Sequence, residues 1–214
     1  MRNRSENQVI LALIRHGETR ANQERRYLGK TDEPLSDRGI ETLRSYQAQN
    51  LYPSFSYLFT SPMKRCLETA GILFPSLCPA VIDEWEEMDF GEFEYKNYEE
   101  LKDDIRYQAW LRNGGTGTFP KGESREDFII RCERGLMKMC GKLQEMTGKN
   151  TKESIRAGIV AHGGTIMALL HSFCGKEYFD CQVSNGRGYL CKMEWNGEVV
   201  AEKNQIQMKV VADI

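Results

Sequence analysis

Leu11-Ala12-Leu13-Ile14-Arg15-His16-Gly17-Glu18-Thr19 is an unbroken apolar run that ends in arginine, histidine and glycine. Almost a whole chain later the pattern returns as Ile159-Val160-Ala161-His162-Gly163-Gly164-Thr165. Short continuous apolar runs of this kind predict strands buried on both faces, as in parallel sheets covered by helices. A histidine directly after such a strand stands at its carboxyl end, where open α/β sheets bind ligands. Two such ends can bring two of the chain's three histidines together, and Arg15 beside the first suits the pair to an anion.

Outward from these two runs, strands alternate with helices. Residues 9–14 predict the first strand, and the polar, aperiodic residues 18–34 predict a long functional loop. Ser36 before Asp37-Arg38-Gly39 reads as an N-cap, with Ile40, Leu43, Ala48 and Leu51 as the apolar face of a helix that stops before Pro53. Residues 57–60 form a second strand, after which Ser61 and Pro62 supply a cap and a first-turn proline for a helix through Leu73. Further strands are expected at 79–82 and 154–161, an irregular helix at 97–111, and a glycine-rich connection at 113–118. A long helix at 124–146 carries Phe128, Cys132, Leu136, Met139 and Leu143 on one side, and another helix follows at 164–173. Residues 188–195 and 199–211 alternate around Asn196-Gly197, a hairpin signal. The expectation is one α/β domain over residues 1–214, doubly wound, with a mostly parallel sheet, helices on both faces and antiparallel edge strands.

Composition excludes several function classes. Among 214 residues, 40% are hydrophobic and 28% charged, ordinary for a globular protein. A formal net charge of -2 supplies no global field for nucleic acid or anionic lipid, so anion recognition has to come from a few placed cations. Seven cysteines, an odd number without a C-x-x-C pair, read as reduced thiols of a cytoplasmic protein. No metal-ligand spacing occurs, and no apolar run is long enough for a membrane span. The expected partner is a small molecule, with no nucleic acid, membrane, metal or cofactor. Assembly stays open, a homodimer being one option.

A neutral imidazole is a competent phosphoryl acceptor, and guanidinium groups nearby would keep His16 neutral. The plain alternative is a satisfied structural histidine at a strand end. Arg65, in Ser61-Pro62-Met63-Lys64-Arg65-Cys66, is placed in the first turn of a helix after a strand, where it can take two phosphate oxygens, whereas Lys64 reads as solvated. The run Glu84-Trp85-Glu86-Glu87-Met88-Asp89-Phe90-Gly91 reads either as an exposed charged face or, through its interleaved apolar residues, as the source of a partly buried general acid. Three near-matches fail. Gly29-Lys30-Thr31 lacks the opening glycine of a P-loop, and Gly122-Glu123-Ser124 lacks the second glycine of a nucleophile elbow. Cys66 reads as a buried thiol, not a nucleophile.

Together, Leu13-Ile14-Arg15-His16-Gly17-Glu18-Thr19, Asn22, Asp32-Glu33-Pro34-Leu35-Ser36, Ser61-Pro62-Met63-Lys64-Arg65, Glu87-Met88-Asp89-Phe90-Gly91, Gly122-Glu123-Ser124 and Ala161-His162-Gly163-Gly164 resemble the histidine phosphatase superfamily in its phosphoglycerate-mutase-like branch. The match runs in order over residues 9 to 175. The resemblance implies a doubly wound α/β fold and a covalent mechanism without metal. It makes His16 the nucleophile that becomes phosphohistidine, Arg15, Arg65 and His162 the ligands of the phosphoryl oxygens with Asn22 assisting, and Glu87 the proton donor to the leaving alkoxide. Gly163, beside His162, joins the expected phosphate-binding set.

The family's glycolytic mutases carry basic residues, including paired arginines, after their counterpart of Gly91. Here Glu92-Phe93-Glu94-Tyr95-Lys96-Asn97-Tyr98-Glu99-Glu100-Leu101 follows, with only Lys102, Arg106 and Arg112 beyond, which favours hydrolysis. The segment Asp89-Phe90-Gly91-Glu92-Phe93-Glu94, with Trp110 and Gly122-Glu123-Ser124 downstream, is similar to α-ribazole phosphatases and broad-specificity phosphatases. A phosphoglycerate-type mutase and a non-catalytic phospholigand-binding protein are the alternatives. Tyr95 replaces a usual glycine and Leu28 a usual polar residue, so Tyr27, Leu28 and Tyr95 are expected to border the pocket and favour an apolar or aromatic leaving group. His171 reads as structural.

Overall fold

The computed structural model describes residues 6–147, 155–196 and 202–214. Within them one sheet has six strands: β1 (Glu6–Arg15), β2 (Tyr57–Thr60), β3 (Ala80–Val81), β4 (Ile155–Ala161), β5 (Gly188–Asn196) and β6 (Ile206–Asp213), in the order β3-β2-β4-β1-β5-β6. The first four run parallel and β5 and β6 continue the sheet antiparallel. This is the expected α/β sheet with antiparallel strands at one edge. The two apolar runs that end in histidine are neighbours: β1 and β4 pair in parallel from Val9 opposite Ile155 to Arg15 opposite Ala161. Their carboxyl ends are therefore level, and the His16 N–H donates to the Ala161 carbonyl at 2.9 Å.

Helices cover both faces because β1 presents apolar side chains in both directions. Val9, Leu11 and Leu13 join a core with Phe128, Leu136 and Met139 of α6 (Arg125–Thr147) and Ile166 and Leu169 of α7 (Gly163–Cys174). Ala12 and Ile14 pack on the other face with Leu43 of α2 (Asp37–Ala48) and Leu73 of α3 (Lys64–Leu73). Each of the larger side chains contributes about 1.5–3 kcal/mol on burial, which anchors β1 between the two helical layers.

Local chemistry sets the element ends. Ser36 caps α2 as expected, accepting from the Gly39 N–H at 3.0 Å. Ser61 does not cap α3, which starts two residues later than Pro62 suggested, with Met63 at the cap position and no side-chain cap bond. The loop after His16 contains a one-turn helix, α1 (Arg20–Gln23), closed by a reciprocal capping box between Thr19 and Asn22. The irregular helix at 97–111 is two pieces, α4 (Tyr98–Leu101) and α5 (Ile105–Arg112), capped by Asn97 and Asp104. The expected hairpin pairs β5 with β6, but its turn, at residues 197–201, lies outside the described residues.

Candidate active site

The level ends of β1 and β4 set the rings of His16 and His162 5.2 Å apart at 66°. Both are buried, His16 being 4% exposed and His162 fully covered. The His16 Nδ1 atom is 2.6 Å from the Gly17 carbonyl oxygen. A carbonyl only accepts, so Nδ1 carries the proton and Nε2 keeps its lone pair. His162 takes the opposite tautomer. Arg65 Nε–H, which can only donate, points at His162 Nδ1 at 3.3 Å, so Nε2–H donates to Ser61 Oγ at 2.8 Å. Burial first, and then the guanidiniums of Arg65 and Arg15, hold both imidazoles well below their ordinary titration range.

Arg65 is fully buried on the first turn of α3. Its terminal nitrogens donate to the carbonyls of Thr31 and Gly29, each at 2.9 Å, fixing the guanidinium between the long loop and His162. One turn further along α3, Thr69 accepts from the Gly17 N–H at 2.9 Å and donates to the Arg65 carbonyl at 2.7 Å, tying the loop after His16 to the helix that carries Arg65. Arg15 donates to the Val183 carbonyl at 2.7 Å, while its buried Nε has no hydrogen-bond partner. An unpaired buried guanidinium N–H costs about 1–3 kcal/mol, and it leaves a charged donor free to pair with an anion.

Glu87 is the buried member of the acidic run, 9% exposed. Burial raises its carboxyl above the ordinary range, opposed by N–H donation from Met88 and Gly164 and by the charges of Arg65 and Arg15. Its approach to α7 requires glycine: a Cβ at residue 164 would lie 2.3 Å from Glu87 Oε1. Cys66, beside His162, is held protonated by burial, its thiol pushed up to about 12. Among the described residues, no group of three or more histidine, cysteine, aspartate or glutamate side chains is placed to hold a metal ion.

A cavity of about 570 Å³ lies beside this cluster: Arg15 and Glu87 reach its wall, whereas His16, Arg65 and His162 are not among its lining residues. Arg15, Glu87, Gly163 and Gly164 line its polar end, and Tyr27, Phe90, Trp110 and Phe119 line an aromatic wall. Two expected lining residues are elsewhere. Leu28 is buried beside Arg65's carbonyl partner Gly29 in sequence and does not line the cavity. Tyr95 also lies outside it, its hydroxyl donating to Glu33 Oε1 at 2.8 Å and its ring under the Arg26 guanidinium. The usual glycine at that position has a backbone reason: Tyr95 has φ 59°, a left-handed conformation. Asn22 stands one step back from the cavity, its Oδ1 accepting from Thr19 N–H and from Asn185 Nδ2. His171 is exposed near the end of α7, its Nδ1 bonded to the Lys176 carbonyl at 2.7 Å.

A family model described as "Histidine phosphatase superfamily (branch 1)" matches residues 11–205. The chain belongs to that superfamily. This histidine phosphatase is 35% identical over 138 residues to the "Adenosylcobalamin/alpha-ribazole phosphatase" of Escherichia coli K12, covering 60% of this chain and 66% of that one. It is 30% identical over 169 residues to an Enterobacter sp. (strain 638) protein named "Probable phosphoglycerate mutase GpmB", covering 76% and 74%. Its fold matches the α-ribazole phosphatase of Shigella flexneri with a TM-score of 0.74 at 25% identity, over 95% of this chain and 96% of that structure. The chain is an enzyme of the phosphatase class, in a phosphoglycerate-mutase-like fold.

Sequence reasoning missed four residues around the histidine phosphatase site. Ser61 looked like a cap and is instead the acceptor for His162. Thr69 gave no signal beyond helix spacing. Asn185, which lines the cavity and donates from Nδ2 to the carbonyl of His16 at 3.1 Å, sits in a stretch with no motif. Arg125 also lines the cavity, and its place beside the Gly122-Glu123-Ser124 motif was the available clue.

Proposed function

We propose that this protein is a metal-independent phosphomonoesterase, one domain over residues 1–214, that hydrolyses small organic phosphates through a phosphohistidine on His16. The phosphoryl oxygens bind Arg15, Arg65 and the Gly163 amide, with His162 turning its Nε2–H from Ser61 to a phosphoryl oxygen and Asn22 acting at one remove through Asn185. The His16 Nε2 lone pair attacks phosphorus. The bond from phosphorus to the alcohol oxygen breaks as Glu87 gives that oxygen its proton. Water then attacks the phosphohistidine and loses a proton to the Glu87 carboxylate, which releases phosphate and restores both groups. Phosphoryl transfer demands mainly orientation and charge stabilisation, and the two guanidiniums supply the positive charge.

The observation that carries this reading is the His16 Nδ1–H bond to the Gly17 carbonyl, because it leaves the other ring nitrogen as a nucleophile. Aryl phosphate hydrolysis in excess chelator tests it: wild type turns over and His16→Ala does not. Activity abolished by chelator, or retained by the variant, would contradict it.

The aromatic wall and the relatives named for α-ribazole support a leaving alcohol that bears a ring, with α-ribazole 5′-phosphate as one candidate. The relative named as a mutase favours a second reading, transfer to an acceptor phosphoglycerate. Stoichiometric inorganic phosphate without phosphorylated product separates hydrolysis from transfer. The reduced cysteines support a cytoplasmic site of action.

A further inference from the structure

The cavity wall carries two cations, and the proposed chemistry uses one. Arg125, the first residue of α6, lines the same cavity as Arg15 and Glu87. Its guanidinium lies 5.5 Å from the centre of the Tyr178 ring and 5.8 Å from that of Phe179, both of which also line the cavity. Stacking on two rings holds the group in place without neutralising it. Its neighbouring carboxylate, Glu126, has Oε1 at 4.0 Å, the outer limit of an ion pair, on a side chain 62% exposed. A contact of that length to a solvated partner contributes about 0–1 kcal/mol and is easily exchanged for another anion. Glu87 is the one acid among the cavity's lining residues, and it is already bonded to two backbone N–H groups.

We propose that Arg125 is a specificity-determining residue that binds a second anionic group on the substrate. The reading rests on the phosphoryl group docking as described under Proposed function. The phosphoryl group then occupies the Arg15 end, a planar apolar body lies along Phe90, Trp110 and Phe119, and a carboxylate or second phosphate meets Arg125. A volume of about 570 Å³ falls in the range of pockets that enclose whole small ligands, so it accommodates more than a phosphoryl group. The substrate class is thus a phosphomonoester of an aromatic alcohol that carries a further anion. Such a cation differs in position from the basic residues that the glycolytic mutases carry after their counterpart of Gly91, since it comes from the start of α6.

The test is calorimetric binding to His16→Ala, which cannot turn over, with phenyl phosphate, 4-carboxyphenyl phosphate and 1,4-phenylene bisphosphate as ligands. An anionic substituent is expected to tighten binding about tenfold. That preference is lost in His16→Ala/Arg125→Gln and partly retained in His16→Ala/Arg125→Lys. The two substituted ligands separate a carboxylate partner from a phosphate partner. No preference in His16→Ala, or an equal preference in the Arg125→Gln protein, overturns the assignment. Wild-type hydrolysis of phenyl phosphate is read in parallel. Its absence together with an Arg125-dependent preference contradicts the hydrolytic reading and leaves this inference standing.

Discussion

Glu87 and Gly164 are fitted to each other: the Gly164 N–H donates to Glu87 Oε2 at 3.2 Å, and a Cβ on residue 164 would stand 2.3 Å from Oε1. The carboxyl thus reaches the start of α7 only because glycine is there. Gly164→Ala forces Glu87 out of place, and a displacement of about 1 Å at a reacting group costs about 10²-fold in rate. Steady-state kinetics should show that loss chiefly in kcat. An unaltered kcat would mean that the position of Glu87 does not matter.

The pH profile follows from two opposite shifts. His16 is held well below the ordinary imidazole range by burial and by the Arg65 and Arg15 charges, so its nucleophilic nitrogen stays neutral where a free imidazole would protonate, and the acid limb lies below that of a free imidazole. Glu87 is raised above 4.5, and the rate on an alkyl phosphate falls as pH climbs through its titration, because the donor proton is lost. Glu87→Gln should remove that basic limb and slow alkyl phosphates about 10²-fold, with a smaller effect on aryl phosphates whose leaving groups need less protonation. Equal losses on both classes would reduce Glu87 to a shaping role.

Ser61 accepts from the buried His162 Nε2–H, and among the described residues no other side-chain oxygen bonds that nitrogen. Ser61→Ala leaves the donor unsatisfied at a cost of about 1–3 kcal/mol. Chemical denaturation should report this loss, and KM should rise as the phosphate ligand loses its orientation. A variant as stable as wild type would show that water replaces the hydroxyl.

Tyr95 is outside the cavity. Tyr95→Gly should therefore keep kcat/KM within about twofold on aryl phosphates, since the substitution touches neither the reacting groups nor the aromatic wall. A large change in substrate preference would restore Tyr95 as a pocket residue.

Much of this site was legible because its chemistry is tied to strand ends. The apolar runs before His16 and His162 define β1 and β4 by burial alone, and parallel pairing of two buried strands brings their following residues level. Arg65 was legible because a strand followed by a helix fixes where the first helical turn points. Ser61 was misread because Ser-Pro is a strong local helix-start signal, while a buried imidazole at the end of the neighbouring strand competes for the same hydroxyl. Leu28 and Tyr95 were misplaced for a similar reason: closeness in sequence to Tyr27 and Gly91 says nothing about which way a loop side chain faces. Arg125 and Asn185 depend on how α6 and the segment before β5 pack over the strand ends, which no local pattern encodes.

The most direct test of the central claim is a rapid acid-free quench of wild type with an aryl phosphate, followed by mass mapping of the phosphorylated peptide. The account predicts an acid-labile phosphate on the peptide containing His16, absent in His16→Ala and longer lived in Glu87→Gln. Turnover without any phosphorylated peptide, or with phosphate on another residue, would contradict it.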